Sequence, residues 1–180
     1  MNERQKHIIA AAIPLFLNEG VSVSTAHIAK VAGVSNGTLF NAFQTKQELI
    51  DAIYRSTKLA MLAAFPVSKE QKLDRRQMRT AWDGYLEWAR AKPNDHRVMH
   101  LLREAGLASP AVQAEIDALY APHAQSLMAA LEDGSIRGPS VAFIGAVIFA
   151  QIDLVIDHNL TGADEDLAFE MLCNAIGLTQ

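Results

Sequence analysis

The sequence predicts an all-α protein of about nine helices, three in an N-terminal helix-turn-helix head and six in a bundle behind it. Three observations predict it. Apolar residues recur at three- and four-residue spacing along nearly the whole chain. The breaks between these runs carry glycine, proline or a capping hydroxyl, the marks of helix ends. No stretch of any length alternates apolar and polar residues as a half-buried strand does.

The first helix is expected over residues 3–18, with Ile9, Ala12, Ile13, Phe16 and Leu17 as its buried stripe. Pro14 removes a backbone donor there and crowds the carbonyl of Ala10, which predicts a kink. Arg4, Lys6 and His7 form either a short arm that touches phosphate or a plain solvated helix start. Residues 24–43, STAHIAKVAGVSNGTLFNAF, read as two short helices joined by a tight turn. Ser24 caps the first, and Ile28, Ala29 and Ala32 sit at helical spacing. Gly33 supplies the left-handed backbone angle that ends it. Ser35 caps the second, offering its hydroxyl to the N–H of Gly37 or Thr38. Leu39 and Phe43 should face the core, leaving Asn36, Thr38 and Asn41 on a polar side. A helix with small, hydrogen-bonding residues at its start suits the major groove of DNA.

Thr45 caps a fourth helix that runs to about Phe65 and stops at Pro66. The polar stretch at 67–76 is a crossing into the second region. Helices then follow over 74–91, 94–104, 110–131, 139–160 and 164–176. Their boundaries are marked by Pro93, Gly106 with Ser109-Pro110, Gly134 with Gly138-Pro139, and Gly162.

Composition sets bounds. The chain has 16 Lys/Arg against 20 Asp/Glu, a net charge of −4. Residues 1–50 hold four Lys/Arg against three Asp/Glu, leaving twelve against seventeen for the rest. A near-neutral head on an acidic body is compatible with nucleic acid, because local charge meets the phosphates. The single cysteine, Cys173, excludes an intrachain disulfide framework and fits a reducing cytoplasm. No signal-peptide pattern is read at the N-terminus. The most apolar run, 141–156, is interrupted by Gln151 and Asp153 and falls short of the roughly 20 residues a membrane span needs.

Residues 8–50 resemble the DNA-binding domain of the TetR family of bacterial transcriptional regulators. The resemblance rests on the alanine-rich first helix ending in Glu19-Gly20, on the block IAKVAGVSNGTLF, and on the continuation from Phe43 through Thr45-Lys46 to Leu49. It implies a DNA-binding head over residues 1–48 and a ligand-binding and dimerising helical domain over 49–180. It also implies that Ser24 and Thr25 hold phosphate at the start of the second helix, with His27 beside them. Ser35, Asn36, Gly37, Thr38, Phe40 and Asn41 then form the reading helix, and Lys46 clamps phosphate. Asn matches the adenine edge and Thr38 offers a methyl to thymine. Two departures stand out. Ala26 occupies a position where some relatives carry a base-reading arginine. Phe40 replaces the usual tyrosine, so only ring contact to sugar or a thymine methyl is left, and Ala42 replaces a common histidine.

Two further expectations come from the body. Residues 141–156 are apolar nearly all round, and the last helix has two apolar sides, Leu167, Met171 and Ala175 on one and Phe169, Leu172 and Ile176 on the other. A homodimer interface through Ala142, Ala146, Phe149, Ala150, Leu167, Met171 and Ala175 would cover them, or they are simply core. The resemblance implies the dimer, and a two-fold protein reads a palindromic duplex operator. The second expectation is a small-molecule site. Met61, Phe65, Trp82, Tyr85, Trp88, Met99, His100, Arg103, Tyr120 and His123 would line it, or pack as plain core. His96 and His100 stand four apart, but no carboxylate at matching spacing makes a metal site of them. No nucleophile-base pair, phosphate loop or dinucleotide fingerprint supports catalysis, and no cofactor is expected. The resulting expectation is a DNA-binding regulator, read as a repressor released by a small-molecule effector. The alternative is a DNA-bound structural or partner-recruiting protein with a filled core.

Overall fold

The computed structural model describes residues 1–65 and 73–178. Among these the chain is entirely helical, with α1 Glu3–Glu19, α2 Thr25–Val31, α3 Asn36–Ala42, α4 Lys46–Ala64, α5 Arg75–Ala91, α6 Pro93–Glu104, α7 Pro110–Glu132, α8 Val141–Asp157 and α9 Ala163–Ile176. The polar crossing expected at 67–76 lies mostly outside the described residues. The chain divides into two compact units, Met1–Ala60 with Lys92–Ile116, and Met61–Ala91 with Asp117–Gln180.

The first unit is built on α1, which packs against α2, α3 and α6. Asn2 and Gln5 cap α1 reciprocally, each side chain accepting from the other's backbone N–H, so two donors without helical partners are satisfied. Ile8, Ile9, Ala12, Ile13, Leu15 and Phe16 are buried. Leu17, expected in that stripe, is only half-buried, because Ile8 and Leu15 take the inward positions. Pro14 lies on the exposed side, and the helix continues through it.

Within α4, residues 46–60 belong to this unit. Thr45 Oγ1 accepts from the Glu48 N–H at 3.1 Å, as a cap should. Further along, Asp51 Oδ1 accepts from the Ser109 N–H at 2.9 Å and from Gln47 at 2.9 Å. Arg55 meets Glu115 through three contacts of 2.7 to 2.9 Å. These bonds tie α4 to the start of α7. Burial pushes the Asp51 carboxyl up, but the hydrogen bonds and the Arg55 charge outweigh it and hold the carboxyl below its ordinary range.

The second unit is organised by α5. Its apolar side carries Met78, Trp82, Tyr85, Leu86, Trp88 and Ala89 inward. Trp82 meets Phe169 of α9 edge-on at 5.6 Å between ring centres, and Tyr85 meets Trp88 at 5.5 Å, geometries that favour aromatic pairs. Arg75, Arg79 and Arg90 on its polar side pair with Glu170, Asp166 and Glu165 of α9. The Arg75 and Arg79 guanidinium groups also lie 5.6 and 5.2 Å from the Phe169 ring centre. Between α8 and α9 the shared core is Ile144, Ile152, Val155, Phe169, Leu172, Cys173 and Ile176. Burial pushes the Cys173 thiol up, which leaves it un-ionised.

Helix α8 is shorter at both ends than the expected 139–160. Ser140 caps it by accepting from the Phe143 N–H at 3.2 Å. At the other end Asn159 takes a left-handed φ of 51°, and the Leu160 N–H bonds back to the Val155 carbonyl at 3.0 Å. Asparagine tolerates that angle better than other side chains.

One glycine is required for packing. A Cβ on Gly84 of α5 would run into the backbone carbonyl of Ala64 at the end of α4. Gly84→Ala should therefore destabilise the protein by about 2 kcal/mol in urea unfolding, because the overpacking cost exceeds alanine's helix propensity gain of ~1 kcal/mol. An unchanged or raised midpoint would contradict this close approach.

Candidate nucleic-acid interface and body cavity

Helix α3 has seven residues, too few to hold a helical shape in isolation. Four contacts hold it. Leu39 is fully buried. Ser35 Oγ accepts from the Thr38 N–H at 3.0 Å and lies 2.8 Å from Thr38 Oγ1. Gln5 of α1 donates to the carbonyl of Ala42 at 3.1 Å, satisfying one acceptor at the end of α3.

The turn before α3 is closed by two backbone bonds, Gly33 N–H to Lys30 carbonyl at 3.1 Å and Val34 N–H to Ala29 carbonyl at 3.0 Å. Gly33 has φ 64°, the left-handed angle its position predicts. The ring of His7 donates to the Ala32 carbonyl at 2.8 Å. That places His7 in the turn's support rather than in a phosphate-touching arm or a solvated start. Ser24 caps α2 as expected, accepting from the His27 N–H at 3.1 Å.

The consequence is a defined outer surface. Asn36, Gly37, Phe40 and Asn41 are exposed, Thr38 is half-buried, and Leu39 and Phe43 are buried. Ser24, His27 and Ser35 are exposed and Thr25 is half-buried. The His27 ring lies 3.5 Å from the Glu19 carboxylate. Lys46 is half-buried, and its ammonium donates to the Val23 carbonyl at 2.6 Å. Burial pushes that ammonium below its ordinary pKa. Lys46 thus braces the backbone that leads into α2. Spacing had no means of revealing the bond, because the carbonyl it uses is 23 residues away.

The second unit contains a cavity of about 570 Å³, within the range of small-molecule sites. Of the ten residues expected to line it, Phe65, Trp82, Tyr85, Tyr120 and His123 do. Met61 is buried behind the wall and takes a hydrogen bond from the Tyr120 hydroxyl on its sulfur at 3.4 Å. Trp88 packs against Tyr85 without lining the space. Met99, His100 and Arg103 belong to α6 in the first unit and are not among the residues that line this cavity. There the His96 and His100 rings meet at a tilt of 45°, 4.4 Å between ring centres. The wall that sequence reasoning missed is α8, through Val141, Gly145, Ile148, Phe149 and Ile152. Phe149, grouped with the outward alanine row, turns to this cavity and meets Tyr85 at 5.8 Å.

Two residues of the cavity wall, His123 and Trp82, hold polar atoms that are buried behind the cavity surface. His123 Nε2 donates to the Phe65 carbonyl at 3.0 Å. Since a carbonyl only accepts, Nε2 carries the hydrogen, and buried Nδ1 is an acceptor with no hydrogen-bond partner among the described residues. The buried indole N–H of Trp82 is a donor in the same position.

The outward sides of α8 and α9 form the third feature. Ala142, Phe143, Ala146, Ala150 and Leu154 of α8 are exposed, as are Leu167, Met171 and Ala175 of α9. The four large ones are each at least half exposed. No helix among the described residues is long and apolar enough to cross a membrane.

Comparison with known proteins gives the same picture. Residues 8–53 match the model of the family described as bacterial regulatory proteins, tetR family. Over 101 residues the chain is 26% identical to the nucleoid occlusion factor SlmA of Glaesserella parasuis serovar 5 (strain SH0165), covering 55% of this chain and 50% of that protein. The match therefore spans half the length of that relative. Likeness along the whole chain is to solved structures. A TetR family transcription regulator from Marinobacter aquaeolei VT8 superposes with a TM-score of 0.75 at 22% identity, covering 96% of this chain and 95% of that one. A bacterial regulatory protein in the tetR family from Rhodococcus RHA1 does so with a TM-score of 0.77 at 20% identity over 100% of both. Residues 8–53 thus match the N-terminal domain of the tetR family of bacterial regulatory proteins, and the fold of the whole chain is the one seen in these solved structures.

Proposed function

We propose that the protein is a cytoplasmic transcriptional repressor, which binds a palindromic operator as a homodimer and is released by a small molecule held in the cavity of the second unit. The observation that carries the reading is the joint presence of the exposed polar face of α3 and a cavity of about 570 Å³ in the second unit, walled mostly by apolar and aromatic side chains. The ligand that suits such a wall is largely apolar.

The dimer follows from the outward faces of α8 and α9. Covering Phe143, Leu154, Leu167 and Met171 on both copies contributes on the order of 8 kcal/mol. Association costs ~4–15 kcal/mol, so these side chains alone do not suffice. The row Ala142, Ala146 and Ala150 supplies the rest by letting helices approach closely and gain dispersion contact. Release needs only that the ligand bind better to one arrangement of the body than to the other. Helices α4 and α7 are the elements to carry it, since the chain passes from one unit to the other inside each.

The match to a nucleoid occlusion factor supports a second reading, in which the same head binds DNA and the body holds a protein partner.

Asn36→Ala should weaken specific operator binding by about 5- to 150-fold, the value of ~1–3 kcal/mol for a lost base contact, with folding intact by circular dichroism. Unchanged operator preference would remove α3 from the reading role. Ala146→Glu should give monomers in sedimentation, since it places charge at the centre of the apolar row. A persistent dimer would refute that interface.

A further inference from the structure

We propose that the half-site under α3 is built of A·T pairs, with Phe40 reading thymine by its C5 methyl and Asn36 and Asn41 reading adenine. The inference rests on the operator-binding reading above and names the bases that reading leaves open.

It follows from which chemical groups the head has available. Guanine presents two acceptors in the major groove, O6 and N7, and the side chains that match both are arginine and lysine. Helix α3 contains neither. Of the other nearby cations, Lys46 is engaged by the Val23 carbonyl, and His27 faces the Glu19 carboxylate. Lys30 stands in the last turn of α2, the helix that crosses the backbone in this motif, where it suits a phosphate. Position 26, at the start of α2, is alanine.

The hydroxyls are also accounted for. Thr38 Oγ1 and Ser35 Oγ are 2.8 Å apart, and Ser35 Oγ takes the Thr38 N–H as well. The cap uses one of the two O–H groups, and the single donor left over cannot meet both guanine acceptors.

What α3 leaves for the groove is Asn36, Gly37, Phe40 and Asn41, which fall on one side of the helix. A side-chain amide sets a carbonyl beside an N–H, the complement of adenine N6–H and N7. Against guanine the amide oxygen would face O6, acceptor to acceptor. Phe40 offers no hydrogen bond. It is 40% exposed, while Phe16 and Phe43 of the same unit are 1% and 4% exposed. The one apolar group on a major-groove base edge is the thymine methyl.

The test uses the full-length protein and a pool of random duplexes, followed by a cycle of substitutions in base and protein. Selection should enrich A·T pairs at the centre of each half-site. Replacing thymine there by uracil removes only the methyl and should weaken binding about fourfold, the value of one buried methyl. Phe40→Ala should weaken binding to the thymine duplex to the same degree and leave binding to the uracil duplex unchanged, so that the two substitutions are not additive. Phe40→Leu should keep part of the preference. A half-site centred on guanine, or equal binding of uracil and thymine duplexes by the unmodified protein, would overturn the proposal while leaving operator binding intact. A protein that enriches no sequence at all would overturn operator binding itself.

Discussion

The burial of Leu39 is the constraint on which the head depends. A seven-residue helix cannot choose its own rotation; the one side chain it sinks into the core chooses for it. Once Leu39 is inside, Asn36, Gly37, Phe40 and Asn41 stand outside. Three carbonyls around this motif are then taken by side chains, Val23 by Lys46, Ala32 by His7 and Ala42 by Gln5. Each satisfies an acceptor that a short helix or turn leaves over. The exposed face of α3 is thus supported from behind by hydrogen bonds.

The second unit solves a different problem. Helices α8 and α9 are apolar on more than one side, and each divides that surface between a core and an exterior. Ile144, Ile152 and Val155 go inward with Phe169, Leu172 and Ile176, while the alanine row and Leu154, Leu167 and Met171 are left outside. On the inward side the aromatic residues of α5 and Phe149 do not close the space completely, so a cavity persists beside His123 and Trp82. The charged side of α5 is held to α9 by arginine–carboxylate pairs that also cover Phe169. Those pairs are partly exposed, so their worth is modest, and the aromatic packing beneath them carries more.

Much of this was legible in the residues. Ser24, Ser35, Thr45 and Gly33 each announced a helix end by its own chemistry, and each behaves as announced. The two sides of α9 also separated by spacing alone. What could not be read was the rotation of α8, because a helix apolar all round carries no phase. Spacing therefore gives no sign that Phe149 and its α8 neighbours line the cavity. Aromatic and methionine spacing looks alike in any core, so spacing alone does not separate Met99, His100 and Arg103 on α6 from the residues that line the cavity. Nor did local pattern reveal that His7 and Lys46 serve backbone carbonyls, since each partner lies more than twenty residues away.

The account stands on two copies presenting α3 to one duplex. Hydroxyl-radical footprinting of the protein on its selected DNA addresses that most directly. Two protected stretches related by two-fold sequence symmetry, on one face of the duplex and about ten base pairs or a multiple of that apart, are the predicted result. A single unsymmetrical stretch, or no protection even at low ionic strength, would contradict it.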